Sequence, residues 1–183
     1  MIIWYILLFI LVLVGLTEFS TFRTGVPTLA SFPPSRKKMI ERLTKIYEGA
    51  ANKEDFNIID LGSGNGQLAS KIARALPKAK VTGIEISIVP WLISRLRQLV
   101  MGPRNVQFLR VNFWPYDCSK TDAVVCYLNG AVIGKVSEKL RKELKHGAYV
   151  LTNEIPLQAD WKPIDIIETG FLKMKVYVYR QGQ

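Results

Sequence analysis

The sequence has little of what builds covalent or metal frameworks. Its 183 residues include two cysteines, Cys118 and Cys126, and one histidine, His146. Two cysteines make no disulfide framework, which fits a reducing compartment. Cys126 sits inside an apolar run and reads as core. One histidine excludes a multi-histidine metal site. His146 falls near the end of an expected helix, where the dipole favours a cation. Acidic residues are outnumbered, 15 against 25 Lys and Arg, which leaves a formal net charge of +10. Such a balance suits a negatively charged neighbour: anionic lipid, nucleic acid or an acidic partner. There is no internal repeat and no low-complexity segment. At this length the chain makes one domain with room for a core.

Basic residues are absent from the first 22 positions; all Lys and Arg lie at or beyond Arg23. Ile2 to Leu16 is wholly uncharged. As a helix it would be roughly 22 Å long, short of a ~30 Å hydrocarbon core, and Thr17 to Phe22 would lengthen it. A signal peptide is the rival reading. It wants a basic start and a small-x-small cleavage site. Neither is present, and Val14-Gly15-Leu16-Thr17 is a poor site. Residues 1–22 are therefore expected to be an uncleaved membrane anchor. The positive-inside rule then puts the following domain in the cytoplasm.

Residues 23–55 read as a linker and a basic amphipathic helix. Pro27, Pro33 and Pro34 mark the connector, and Ser35 is placed to cap the helix. Met39, Ile40, Leu43, Ile46 and Tyr47 fall at helical spacing. Arg36, Lys37, Lys38, Arg42 and Lys45 form a basic face. It suits either anionic headgroups or plain solvent.

Residues 56–183 form the third segment, organised around Asn57-Ile58-Ile59-Asp60-Leu61-Gly62-Ser63-Gly64-Asn65-Gly66. A buried strand runs into a glycine turn, and a helix follows over Gln67 to Leu76. Glycines 62, 64 and 66 let a ligand press against bare backbone. The helix N-terminus offers unpaired N–H groups. The third glycine comes one residue earlier than in the dinucleotide fingerprint G-x-G-x-x-G. Glu85 closes a second strand, Lys80 to Glu85, where nucleotide-binding sheets carry a ribose-binding carboxylate. Further strands are expected at Val106–Val111, Ala123–Leu128, Ala148–Asn153, Ile164–Glu168 and Phe171–Tyr179. Helices are expected at Val89–Val100 and Ala131–Leu144. Thr169-Gly170 should join the last two strands as a hairpin. The sum is an α/β fold: a doubly wound, mostly parallel seven-stranded sheet with an antiparallel last strand.

The glycine turn with its spaced carboxylate resembles the class I S-adenosylmethionine-dependent methyltransferases, over roughly Phe56 to Tyr179. The resemblance implies S-adenosylmethionine as cofactor. Asp60, Gly62, Ser63, Gly64, Asn65 and Gly66 would hold its methionine portion. Glu85 would take the ribose hydroxyls. Ile86 would flank the adenine, and Asn112 and Phe113 would meet its edge and face. Core packing is the alternative for Ile86 and Phe113. Tyr127-Leu128-Asn129-Gly130 lacks the Asn/Asp-Pro-Pro-Tyr run of amino-methyltransferases acting on adenine or glutamine. There is no Pro-Cys nucleophile and no carboxylate cluster for magnesium.

A narrower resemblance is to the membrane-anchored lysine methyltransferases of the ATP synthase c subunit and the adenine nucleotide carrier. It rests on the hydrophobic N-terminus, the Pro-containing approach Val26-Pro27-Thr28-Leu29-Ala30-Ser31, Asn112-Phe113-Trp114, Glu154-Ile155-Pro156-Leu157 with Trp161, and the Val-Tyr-Val-Tyr ending. It implies a protein-lysine substrate, such as a small membrane protein of the c-subunit kind. Asn112 stands where that family has an acidic residue. Glu154 stands where it has an arginine. Glu154 and Asn129 are the candidate catalytic residues. Trp114 and Trp161 would line an acceptor channel or cover the sheet edge. The rivals are methylation of a lipid or small molecule, methylation of RNA, and a binding module without transfer.

Overall fold

Short apolar runs bounded by turn residues become the strands of one sheet, and the longer periodic stretches become the helices over it. The computed structural model describes residues 4, 5, 33–158, 160–170 and 173–183. Their elements run α1 (Pro33–Glu48), β1 (Asn57–Leu61), α2 (Gln67–Ala75), β2 (Lys80–Ile84), α3 (Ile88–Met101), β3 (Val106–Leu109), β4 (Ala123–Cys126), α4 (Gly130–Glu143), β5 (Tyr149–Asn153), β6 (Asp165–Thr169) and β7 (Met174–Arg180). The strands form one sheet in the order β3-β2-β1-β4-β5-β7-β6. β1 to β5 pair in parallel. β7 lies antiparallel to both of its neighbours, β5 and β6. The expected mostly parallel sheet with an antiparallel last strand is what forms.

Side chains alternate between the two faces of the sheet, and each face has its own core. Ile58, Val81, Val125, Leu151 and Val176 meet Met39 and Leu43 of α1 and Leu68 and Ile72 of α2. On the opposite face Ile59, Leu61, Val124, Cys126 and Val150 meet Ile133, Val136 and Leu140 of α4. Burying each such side chain contributes about 1.5–3 kcal/mol. The strand order reverses between β1 and β4. Open α/β sheets place ligands at the carboxyl ends of the strands beside such a switch point.

Three local differences from the sequence reading have physical causes. The first helix already includes Pro33 and Pro34, which its first turn tolerates because their missing N–H groups have no partner there. Ser35 is consequently not a cap. It is buried, with its Oγ 3.7 Å from Met174 Sδ. β4 stops at Cys126 because Leu128 turns in over Gly62, where an added Cβ would be 2.9 Å from Leu128 Cδ2. The final hairpin closes on the Thr169–Met174 pair and not on a two-residue turn. Gly170 and Lys173 take φ of 49° and 48° in its loop. The first helix's basic face is largely engaged within the protein. Arg36 is buried and donates to Gln67 Oε1, Arg42 pairs with Asp165 at 3.2 Å, and Lys38 pairs with Glu41 at 3.0 Å. Lys37 and Lys45 remain exposed.

Among the described residues no helix is long and apolar enough to cross a membrane. The expected anchor, residues 1–22, lies outside the described residues apart from Trp4 and Tyr5.

Candidate active site

Asp60 is the residue around which the candidate site is built. It pairs across the sheet with Gly83 on one side and Val125 on the other. α2 begins at Gly66, which has no side chain to cap it and sits at φ 73° and ψ 15°. Asp60 lies close below this first turn, where the backbone N–H of Ala69 favours its charged form. Its charge then stands near the positive end of the helix dipole. Its Oδ2 has no hydrogen-bond partner among the described residues, although Asp60 is 3% exposed. Burial, reinforced by the charge of Glu85 and opposed by the Ala69 N–H, raises this carboxyl from 3.8 to about 7.

The glycine turn follows. Gly62, Gly64 and Gly66 all take positive φ, at 71°, 53° and 73°. L-residues reach that region only at a cost of about 1–2 kcal/mol each, so the G-x-G-x-G spacing is what the backbone demands. Ser63 donates its N–H to Ile84 at 2.9 Å, and Gly66 donates to Ser63 at 2.9 Å. The Ser63 hydroxyl is buried and has no hydrogen-bond partner among the described residues. Asn65 is half-buried at the turn's crest.

Glu85 is joined directly to this turn. Its Oε2 accepts the Gly64 N–H at 3.0 Å, and its Oε1 accepts the Ser87 N–H at 2.7 Å. Both oxygens of Glu85 are thus engaged by backbone. It closes the loop onto the start of α3. Ile86, the next residue, is 42% exposed at the rim.

The adenine-side candidates are looser. Asn112 is exposed, and its Oδ1 accepts the Trp114 N–H at 3.0 Å, a local turn bond. Phe113 is half-buried against the α4-side core, with its ring 4.7 Å from that of Trp114. Trp161 is 3% exposed and packs on Tyr179 with ring centroids 5.7 Å apart. It covers the sheet, so the channel reading fails for Trp161.

The two candidate catalytic residues stand at the carboxyl ends of β4 and β5. Asn129 caps α4, its Oδ1 accepting the Ala131 N–H at 3.1 Å. Glu154 sits in the left-handed region at φ 64°. Its Oε1 accepts the backbone N–H of Lys175 at 2.6 Å, and its own N–H reaches Lys175 O at 2.8 Å. Both cysteines are inert thiols at neutral pH: burial pushes Cys118 up to about 11 and Cys126 up to about 12.

Sequence reasoning missed two residues. Phe108 fills the space that two glycines leave. An added Cβ on Gly66 or on Gly83 would stand 2.5 Å from its ring. The signal was Gly83 itself, since a lone glycine within a strand marks a close approach. Asn153 ends β5 at 1% exposure, and neither Oδ1 nor Nδ2 has a hydrogen-bond partner among the described residues. It lies two residues beyond Leu151, which pairs in register with Val125 and so shares the face of Asp60. A buried amide left unpaired costs about 1–3 kcal/mol per group, and calls for a polar ligand or water. Nothing in the sequence distinguished it from any other polar strand end.

An unpaired buried carboxylate oxygen, an unpaired buried hydroxyl and a bare glycine backbone fit a ligand with a cationic amino acid end and several hydroxyls. Comparison with known proteins is consistent. Residues 60–165 match the ANTKMT methyltransferase domain family. The chain is 29% identical over 157 residues to a protein-lysine N-methyltransferase of Saccharolobus islandicus, covering 83% of this chain and 94% of that one. It is 26% identical to the adenine nucleotide translocase lysine N-methyltransferase of Mus musculus, covering 79% and 67%. Among solved structures, an RNA methyltransferase from Salinibacter ruber in complex with S-adenosyl-L-homocysteine superposes with a TM-score of 0.72. It is 23% identical, covering 85% of this chain and 95% of that one, and the likeness is one of fold. The strand order, the glycine turn and the match over residues 60–165 together place this chain in the ANTKMT methyltransferase domain family, as an S-adenosylmethionine-dependent methyltransferase.

Proposed function

We propose that the chain is a membrane-anchored protein-lysine N-methyltransferase that faces the cytoplasm and modifies a membrane protein. The observation that carries this reading is the family match, joined by two relatives whose names specify lysine N-methyl transfer. The uncharged stretch Ile2 to Leu16 supports the anchor. Tethering suits a membrane acceptor because it confines enzyme and substrate to one surface and raises effective concentration.

The cofactor brings a methyl group already activated on a sulfonium. The protein's task is then to hold two partners in line. Asp60 Oδ2, the Ser63 hydroxyl and the turn N–H groups take the cofactor's amino acid end. Glu85 exchanges backbone N–H groups for ribose hydroxyls. Ile86, Asn112 and Phe113 border the base. The acceptor enters over the ends of β4 and β5, past Asn129, Asn153 and Glu154. A lysine must lose a proton before its nitrogen attacks. A carboxylate beside it raises its pKa, so Glu154 binds and orients the ammonium but does not activate it.

Two substitutions test these roles. Glu85→Ala should weaken cofactor binding by about 1–3 kcal/mol, the range for hydrogen bonds to a charged group. Unchanged affinity by calorimetry would remove the assignment. Glu154→Gln keeps an oxygen for the Lys175 N–H and loses only the charge. It should raise KM for the lysine substrate several-fold with an unchanged melting temperature; an unchanged KM sinks the orienting role.

The whole reading is tested with the intact protein, native membranes and radiolabelled S-adenosylmethionine. Protein, lipid and nucleic acid are separated and counted. Acid-stable label on a lysine of one membrane protein is the expected result. Label confined to lipid or RNA would move the acceptor to that class.

A further inference from the structure

α3 presents its apolar side to solvent. Of its fourteen residues, the helix buries only Pro90 and Ser94. Ile88, Leu92, Ile93, Leu96, Leu99 and Val100 are 54, 48, 42, 53, 76 and 76% exposed. At 3.6 residues per turn, these six with Val89 fill a continuous arc of about 140° that contains no polar residue. Arg95 and Arg97 flank the arc, one on each side. The opposite side is fixed to the domain: Trp91 Nε1 donates to Phe108 O at 3.2 Å, and Gln98 Nε2 donates to Val106 O. An exposed apolar face this long on an otherwise well-packed domain marks an interaction surface.

Charge decides what it meets. From Ile86 to Val111 the sequence contains four arginines, 95, 97, 104 and 110, and no Asp or Glu. None of the four forms an ion pair among the described residues. An apolar stripe with arginines at both margins is the pattern of a helix lying in a membrane interface, its aliphatic side in the acyl boundary and its cations at the headgroups. Anionic headgroups add roughly 1 kcal/mol per basic residue near the surface. A protein partner would have to supply a groove with carboxylates on both rims, whereas an anionic bilayer supplies that everywhere.

We propose that α3 is an in-plane contact with an anionic lipid surface, separate from any N-terminal anchor. α3 starts three residues after Glu85, so seating it sets the candidate site at a fixed height and tilt over the bilayer. The inference holds whatever the acceptor is, and does not require residues 1–22 to span the membrane.

The test uses the full chain in vesicles of phosphatidylcholine with phosphatidylglycerol. A polarity-sensitive fluorophore goes on Leu99→Cys, on Leu8→Cys to report the N-terminal segment, and on Lys142→Cys, exposed on α4, as an aqueous reference. Cys118 and Cys126 are fully buried and do not compete for label. Retained cofactor binding shows that each variant is folded. The Leu99 probe should shift to the blue and be quenched by brominated acyl chains, with the Lys142 probe unmoved. A quenched Leu8 probe with an aqueous Leu99 probe would overturn this inference and leave the anchor standing. A blue-shifted Leu99 probe that brominated lipid does not quench would also overturn it, in favour of cover by a second copy or by the N-terminal segment. Equal quenching in phosphatidylcholine alone would overturn the anionic commitment.

Discussion

Gly66→Ala should destabilise the domain by about 2–5 kcal/mol, the sum of a left-handed alanine and an overpacked contact. The added Cβ would stand 2.5 Å from Phe108 Cζ, 2.6 Å from Cε1 and 2.8 Å from Ser94 Cβ. Phe108 has little room to give, because Gly83 presses on the same ring and the residue is 3% exposed. The ring or the turn must shift. The turn is the weaker element, so cofactor affinity should fall with stability. At about 2–4 °C per kcal/mol for a chain of this size, the melting temperature should drop by about 4–20 °C. Gly130→Ala is the control: no atom lies within 4 Å of its added Cβ, and it opens α4, so it should be neutral within about 0.5 kcal/mol. In a double-mutant cycle, Phe108→Leu should recover the steric part of the Gly66 penalty and leave the dihedral part. A Gly66→Ala protein that melts with the wild type would show that Phe108 does not hold the turn in place.

The contrast between these two glycines shows what a sequence displays and what it conceals. Gly62, Gly64 and Gly66 announce a turn by spacing alone, because three left-handed residues in five have few other meanings. β4 and β5 are equally plain: an apolar run of that length fits a strand covered on both faces. Carboxylates are harder. Asp60 and Glu85 both stood out in the sequence as candidates, but their neighbours in the fold did not. That Asp60 lies beneath the first turn of α2, near Ala69, or that Glu85 closes the Gly64 loop, depends on how strand and helix stack across the sheet. Arg36 misleads for the same reason. On a helical wheel it belongs to a solvated basic face. In the fold it is buried, because the neighbouring α2 brings Gln67 against it. Asn153 gave no signal, since a polar residue ending an apolar strand ordinarily meets water. α3 is the opposite case: its existence as a helix was readable, but which side would be buried was not. The domain took the narrow Pro90–Ser94 side and left the broad apolar side outward.

Asp60→Asn should stabilise the ligand-free protein at high pH while impairing its function. A carboxyl held at about 7 in the fold and near 3.8 in the unfolded chain retains its proton more tightly when folded. Below pH 4 both states are protonated, and the group costs nothing. Between pH 4 and 7 the unfolded state gives up its proton first, so stability falls as pH rises; above 7 the full penalty, about 4 kcal/mol, is in place. Asparagine carries no such penalty, but it buries an amide N–H group where Oδ2 had no partner among the described residues, at a cost of about 1–2 kcal/mol. The variant should therefore melt about 5 °C above the wild type at pH 8, and level with it or below at pH 5. Its melting temperature should change less between those pH values. Cofactor affinity should move the other way, falling at least tenfold at pH 8, because the charge that opposes the cofactor's ammonium is gone. Both readouts come from one series of thermal melts with and without S-adenosylhomocysteine. Parallel pH–stability curves for the two proteins would show that Asp60 is not the titrating group. Such a result would remove the case that this site keeps a strained, half-satisfied carboxylate in reserve for its ligand.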